Sequence, residues 1–266
     1  MSPPPAAVRV LTGLVLLPAV AAVVWLLPPA GTLALAAVAL VAAFVELARL
    51  AAALGTPVSR GLSGTAALAA LVAAAEPGAT DLVLPAALVA LAAAAIAAGR
   101  RQPDPLRAVA VALFPAIYLG LPLGSIVALR ADAGPAPTLL LVGTIAASDT
   151  AQYFTGRAIG RRPLAPAISP AKTVEGAAGG IVAAAIVMGT LGAWWLPVVP
   201  LGLRVLVGVV VATLGIAGDL FESLLKRSAG VKNTSGLIPG HGGMLDRIDS
   251  WLFAAPAYGA VVRLLT

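Results

Sequence analysis

The most chemically loaded stretch of this chain runs from Gly218 to Ser250, GDLFESLLKRSAGVKNTSGLIPGHGGMLDRIDS. On a continuous helix Asp219, Glu222, Ser223 and Lys226 stand at i, i+3, i+4 and i+7 and share one face. Taken alone, that stripe is equally well the end of an amphipathic helix with ordinary ion pairs. The sequel adds weight to a site. Pro239-Gly240-His241-Gly242-Gly243 is a turn with several glycines, able to bring backbone N–H groups close to a phosphate. Asp246-Arg247-Ile248-Asp249 then opens a helix with its two aspartates at i and i+3 on one face and Arg247 pointing elsewhere. Paired carboxylates beside Lys226, Arg227 and Lys232 suit a metal–polyphosphate site, in which the carboxylates hold Mg²⁺ while the cations and loop amides neutralise phosphate charge. His241 is a general acid, a phosphate donor or a turn residue. Glu222 either orients a water on the metal or caps a basic neighbour.

A second polar segment, RAIGRRPLAPAISPAKTVEG, spans Arg157 to Gly176. Ser169 followed by Pro170 predicts an N-cap and first helical position, with Lys172, Thr173 and Glu175 in the first turn. A helix N-terminus carrying a lysine and hydroxyls is an anion site. Arg157, Arg161 and Arg162 are accounted for by membrane anchoring and anionic headgroups. Asp149, in Ser148-Asp149-Thr150, is a carboxylate within an apolar run, where charge costs about 2.5–3.5 kcal/mol on insertion scales. It either bonds a neighbouring helix or serves a site. The chain has no Cys and one His, which excludes thiolate chemistry and multi-histidine metal sites and leaves carboxylate oxygen as the main ligand for a hard cation.

The elements that must position these groups are apolar. The 266 residues are 60% hydrophobic and 11% charged, with a mean hydropathy of +1.01. An ordinary soluble domain carries about 25% charged residues, so a water-soluble globule is excluded. Apolar runs at roughly 10–27, 33–54, 62–75, 82–98, 106–129, 138–156, 177–197, 201–218 and 251–265 predict about nine membrane helices. The 62–75 run is short for a full crossing. With the N-terminus inside, only Arg130, Arg204 and Arg263 of the 17 basic residues fall outside, the positive-inside pattern. The first run lacks a convincing cleavage site and is read as a retained helix. The expected fold is therefore all-α and polytopic. It comprises N-terminal transmembrane helices over 1–135 and a C-terminal catalytic region over 136–266 with internal loops at 157–176 and 219–250. The net charge of +6 then reflects topology, and no nucleic-acid partner is expected.

The chain resembles the CTP:phosphatidate cytidylyltransferases, or CDP-diacylglycerol synthases. The resemblance is carried by Ser223, Lys226, Arg227, Lys232, Pro239, Gly240, His241, Gly242, Gly243, Asp246, Arg247 and Asp249, in order and spacing. Ser148-Asp149-Thr150, Ile168 through Gly176, and Gly218 through Ser223 add to it. It covers the C-terminal half well; the N-terminal half carries little specific signal beyond Glu46. Where the family commonly has Asp, this chain has Asn233, whose amide oxygen still serves as a ligand or hydrogen-bond acceptor.

The resemblance implies attack of phosphatidic acid on the α-phosphorus of CTP, giving CDP-diacylglycerol and pyrophosphate. It implies Asp219, Asp246 and Asp249 as ligands for Mg²⁺, with or without a second cation. Ser223, Lys226, Arg227 and His241 are the expected catalytic residues. Asp149, Ser169, Lys172, Thr173, Glu175, Glu222, Lys232, Gly242, Gly243 and Arg247 are expected to bind substrate. The implied setting is a bacterial inner membrane, with the N-terminus and catalytic loops cytoplasmic and a homodimer plausible. Competing expectations are a CTP-dependent polyprenol kinase, which would release CDP, and a secondary transporter. A CDP-alcohol phosphotransferase would need a compact aspartate segment that is absent here.

Overall fold

The structure is a computed structural model that describes residues 6–76, 78–99, 103–238 and 242–265. Arg100, Arg101 and the turn at 239–241 lie outside the described residues. Each apolar run read from the sequence is helical. The helices are α1 (Ala6–Leu26), α2 (Pro29–Ala53), α3 (Arg60–Ala75), α4 (Ala79–Ala98), α5 (Pro105–Pro115), α6 (Leu121–Asp132), α7 (Pro135–Ile159), α8 (Val174–Trp195), α9 (Leu201–Ser228) and α10 (Leu245–Leu265).

Pro and capping side chains explain many of the starts. Pro29, Pro105 and Pro135 occupy first-turn positions, where a missing N–H costs nothing. Asp104 caps α5 by accepting from the Arg107 N–H at 3.0 Å. A π-helical turn, Ala116–Gly120, joins α5 to α6 directly after Pro115. There Tyr118 stacks on Phe114 with centroids 4.9 Å apart and meets Phe221 of α9 edge-on at 5.4 Å.

Among the described residues, five helical stretches are long and apolar enough to cross a membrane: Pro29–Ala53, Ala79–Ala98, Pro105–Asp132, Val174–Trp195 and Leu201–Ser228. The all-α, membrane-helix reading holds at that level, while the count of nine goes beyond it. Helix α3, at 16 residues, is short, in line with the 62–75 run. Helices α7 and α10 are long but carry the polar residues of the site, Asp149, Asp246 and Asp249 among them.

Two sequence expectations change. The segment expected to begin a helix at Ser169 is instead the second strand of a small antiparallel hairpin, β1 (Pro163–Ala165) with β2 (Ser169–Thr173). The N-cap of α8 is Thr173, whose hydroxyl accepts from the Gly176 N–H at 3.1 Å. Ser169-Pro170 mimics a cap because both residues are equally at home at the start of an extended segment. The extension of α9 beyond the apolar run is as the polar stripe requires, since the helix continues to Ser228.

The buried core draws on both halves of the chain, with Leu40, Leu71, Leu119 and Leu129 packed into one cluster with Leu140, Met188, Val211 and Tyr258. The Tyr258 hydroxyl donates to the Pro137 carbonyl at 3.1 Å, satisfying a buried polar group between α10 and α7. In lipid the transfer of apolar surface from water drives little, so close packing and such bonds hold the helices together. Helix α9 packs against both α8 and α10, which brings the C-terminal end of α9, the start of α10 and the hairpin to one place.

Candidate functional site

Along α9, Glu222, Ser223 and Lys226 are buried and Asp219 is partly buried, so the face read from the spacing is the one turned inward. Lys226 is ion-paired with Glu222 one turn earlier and with Asp246 Oδ1 at 2.5 Å. The other Asp246 oxygen, Oδ2, accepts from the Gly243 N–H at 2.8 Å, the Thr234 N–H at 3.2 Å and the Thr234 hydroxyl at 2.9 Å. Burial alone would raise the Asp246 carboxyl, but the Lys226 ammonium, the Gly243 N–H and Thr234 outweigh it and hold the group below the usual carboxylate range. Glu222 is wholly buried, and its Oε1 has no hydrogen-bond partner among the described residues.

Glu46 of α2 completes this network from the other half of the chain. Its Oε1 accepts from the Ser235 hydroxyl at 2.6 Å and the Met244 N–H at 3.0 Å. Its Oε2 accepts from the Leu245 N–H at 2.8 Å and lies 2.9 Å from the Thr234 hydroxyl. A carboxylate on the first amides of α10 satisfies orphan donors and meets the positive end of the helix dipole. The Thr234 hydroxyl stands 2.9 Å from both Glu46 and Asp246, and its single proton serves one of them at a time.

Gly242 and Gly243 shape the loop on which these bonds depend. Gly242 has φ +84°, a conformation that favours glycine, and pairs with Ile238, whose N–H donates to the Gly242 carbonyl at 2.8 Å. A side chain at Gly243 would run into the Thr234 hydroxyl and the Glu46 carboxylate, so only glycine permits that approach.

A second group of charges lies alongside. Lys172 of β2 is ion-paired with Asp219, and the Ser223 hydroxyl donates to Asp219 Oδ1 at 3.5 Å. Asp249 is buried, accepts from the Ser250 N–H at 2.7 Å, and stands within electrostatic reach of Asp219, Asp149 and Arg247. Asp149 in turn feels Asp219, Lys172 and Arg247, and accepts from Gln152 at 3.1 Å. The aspartates expected to act as one ligand set therefore divide. Asp246 has both oxygens engaged by Lys226, Thr234 and Gly243, whereas Asp219 and Asp249 face each other's charge. Among the described residues no group of three or more His, Asp or Glu side chains closes around a metal position. Arg247 points away from the two aspartates as expected, exposed while Asp246 and Asp249 are buried, and its charge still acts on Asp249 at a distance.

The remaining sequence candidates fall into other settings. The Glu175 carboxylate accepts from the backbone N–H groups of Arg161 and Arg162, at 3.0 and 3.2 Å, and so ties the hairpin to α8. The Arg227 guanidinium donates to the carbonyls of Ile168 and Val231, joining the end of α9 to the hairpin. Thr173 is taken up by its cap, and Ser169 is half-buried in β2. Lys232 and Asn233 are exposed in the loop after α9. His241 lies outside the described residues. Sequence reasoning missed Thr234 and Ser235, whose adjacent hydroxyls in a glycine-containing loop were the available signal. It also missed Tyr118, which lies within electrostatic reach of Asp249, Glu222 and Asp219.

These arrangements sit in a chain whose residues 7–265 match the cytidylyltransferase family model, and the chain belongs to that family. It is 45% identical over 130 residues to a Synechocystis phosphatidate cytidylyltransferase, covering 48% of this chain and 44% of that protein. It is 37% identical over 149 residues to the Helicobacter pylori phosphatidate cytidylyltransferase, covering 54% and 53%. It is also 40% identical over 125 residues to the uncharacterized Escherichia coli protein YnbB, covering 47% and 42%. The chain thus spans about half the length of the curated relatives it matches.

Proposed function

We propose that this chain is a phosphatidate cytidylyltransferase. A phosphate oxygen of phosphatidic acid attacks the α-phosphorus of CTP, the bond from that phosphorus to the bridging oxygen breaks, and pyrophosphate leaves as CDP-diacylglycerol forms. The observation that carries the reading is the convergence of α9, the start of α10 and the hairpin, which puts Lys172, Lys226, Asp219, Asp246 and Asp249 in one polar region of an otherwise apolar helix assembly. The relatives named as phosphatidate cytidylyltransferases support it.

A phosphate monoester is largely ionised near neutral pH, so the reaction asks for positioning and charge neutralisation more than for a base. Lys172 is placed to exchange its aspartate partner for a substrate phosphate. Lys226 is fixed between two carboxylates, and Ser223 offers a hydroxyl donor beside Asp219. The Gly243 N–H is committed to Asp246, so the loop serves first to hold that carboxylate.

Asp219 and Asp249 would hold a hard divalent cation, because the buried Asp249 has a single backbone N–H as its hydrogen-bond partner among the described residues and the cation nearest Asp219 is the exchangeable Lys172. Mg²⁺ bound there would offset the charge of the reacting phosphates. Asp246 would join as a ligand only by releasing Lys226. The proposed setting is a bacterial inner membrane crossed nine times, with the N-terminus and the polar loops in the cytoplasm. The basic residues concentrated on that side support it. A homodimer packed through small-residue helix faces is part of the same proposal.

The test is product analysis. Purified protein given CTP, Mg²⁺ and phosphatidate is expected to release pyrophosphate and form a CMP-bearing lipid. Release of CDP would instead establish a kinase, and lipid-independent solute movement in proteoliposomes would establish a transporter.

A further inference from the structure

A groove of about 800 Å³ lies between α2, α3 and the loop after α9, within the roughly 300–1,000 Å³ typical of ligand pockets. One wall is the α2 stripe Ala37, Val41, Val45 and Arg49, each one turn from the last; Leu68 and Leu237 stand on the other sides. At 1.5 Å per residue the stripe rises about 18 Å, close to the roughly 15 Å depth of one leaflet of hydrocarbon. Val41 is 49% exposed on a helix apolar enough to cross a membrane, so the groove opens sideways toward lipid.

The two ends differ chemically. The Ala37 end is apolar throughout. The Arg49 end carries an exposed guanidinium that makes no ion pair among the described residues, next to Glu46 and Ser235. Glu46 leads within one hydrogen-bonded step to Thr234, and Thr234 to Asp246. Both Glu46 oxygens are already engaged by donors from residues 234–245, so the charge left to a ligand at that end is that of Arg49. A molecule lying along the groove is thus asked to be apolar over a leaflet's depth and anionic at that end.

We propose that this groove holds an acyl chain of an anionic phospholipid entering from the bilayer, with Arg49 meeting its phosphate. The inference rests on the reading of a lipid-phosphate substrate and locates the entry of that substrate.

The experiment uses the full chain in phosphatidylcholine nanodiscs with a phosphatidate bearing a diazirine on one acyl chain. Labelling is expected on the Ala37–Arg49 segment and is expected to fall at least fivefold with excess unlabelled phosphatidate but not with added phosphatidylcholine. Equal competition by both lipids, or labelling confined to other segments, means that ordinary bilayer lipid fills the groove and overturns the proposal. As a second measure, Val41→Trp is expected to raise KM for dioleoyl phosphatidate at least fivefold more than KM for dihexanoyl phosphatidate. An equal rise for both also overturns it. Labelling needs no turnover, so a wild-type protein that forms no CMP-bearing lipid would sink the enzymatic reading while the competition pattern still decides the groove.

Discussion

The Lys226 ammonium lies 2.5 Å from Asp246 Oδ1 while also paired with Glu222 on its own helix, so one cation serves two buried carboxylates that belong to different helices. Removing it would leave both charges unpaired, and breaking a buried pair costs about 3–5 kcal/mol. Lys226→Met is therefore expected to lower the thermal midpoint in detergent by several degrees and abolish pyrophosphate release. Adding Glu222→Gln should recover part of the midpoint without recovering turnover. A single variant as stable as the parent would show that the pair contributes nothing.

Glu46 is expected to act by positioning. Its removal strands the Ser235 hydroxyl and the Met244 and Leu245 N–H groups and leaves the Thr234 hydroxyl to Asp246 alone, and loss of a helix-capping acceptor alone costs about 0.5–2 kcal/mol. Glu46→Ala should lower kcat at least tenfold with a smaller change in KM for CTP. Glu46→Gln should recover part of the loss, since its amide oxygen still accepts from one side of the network. Kinetics of the two variants at matched protein stability decide the matter; equal loss in both would count against positioning.

Asp219→Asn and Asp249→Asn are each expected to reduce turnover at least a hundredfold while the protein stays inserted and folded. Manganese binding, followed by its electron paramagnetic resonance signal, should weaken in both variants, and chelation of divalent ions should stop the parent enzyme. Near-normal turnover together with unchanged manganese binding would remove these residues from the metal site.

Arg161→Ala should change turnover by less than about twofold, because Glu175 accepts from the Arg161 backbone N–H, a bond any residue retains. Glu175→Ala should be the more harmful change, since it removes the acceptor for Arg161 and Arg162 together. Initial rates of the two variants in one membrane preparation give the comparison.

The absence of cysteine makes topology directly measurable, because a single introduced thiol is labelled without background. With the proposed orientation, Arg162→Cys should react with a membrane-impermeant maleimide only in inverted vesicles, and Glu76→Cys only in right-side-out cells. Labelling of both from the same side would refute nine crossings.

Much of the candidate site is legible in the sequence because it is local. The spacing of Asp219, Glu222, Ser223 and Lys226 determines a helical face whatever surrounds it, and α9 bears that out as far as Ser228. What the sequence hides depends on partners far along the chain. The hairpin at 163–173 depends on pairing and on the Glu175 clasp, so Ser169-Pro170 reads locally as a helix start. Asp246 and Asp249 share helical spacing, yet Lys226 and Thr234 claim one while Asp219 faces the other. The bonds of Glu46 are likewise hidden: its partners lie 188 to 199 positions away.

That separation has a consequence in time. At about 5–20 residues per second, the acceptor on α2 is made roughly 10–40 s before the Leu245 amide it caps. Until then Glu46 lacks the four donors, from Thr234, Ser235, Met244 and Leu245, that meet it in the folded chain. The later-made segment therefore supplies donors that α2 has waited for, and this part of the polar site assembles only once the start of α10 has been synthesised.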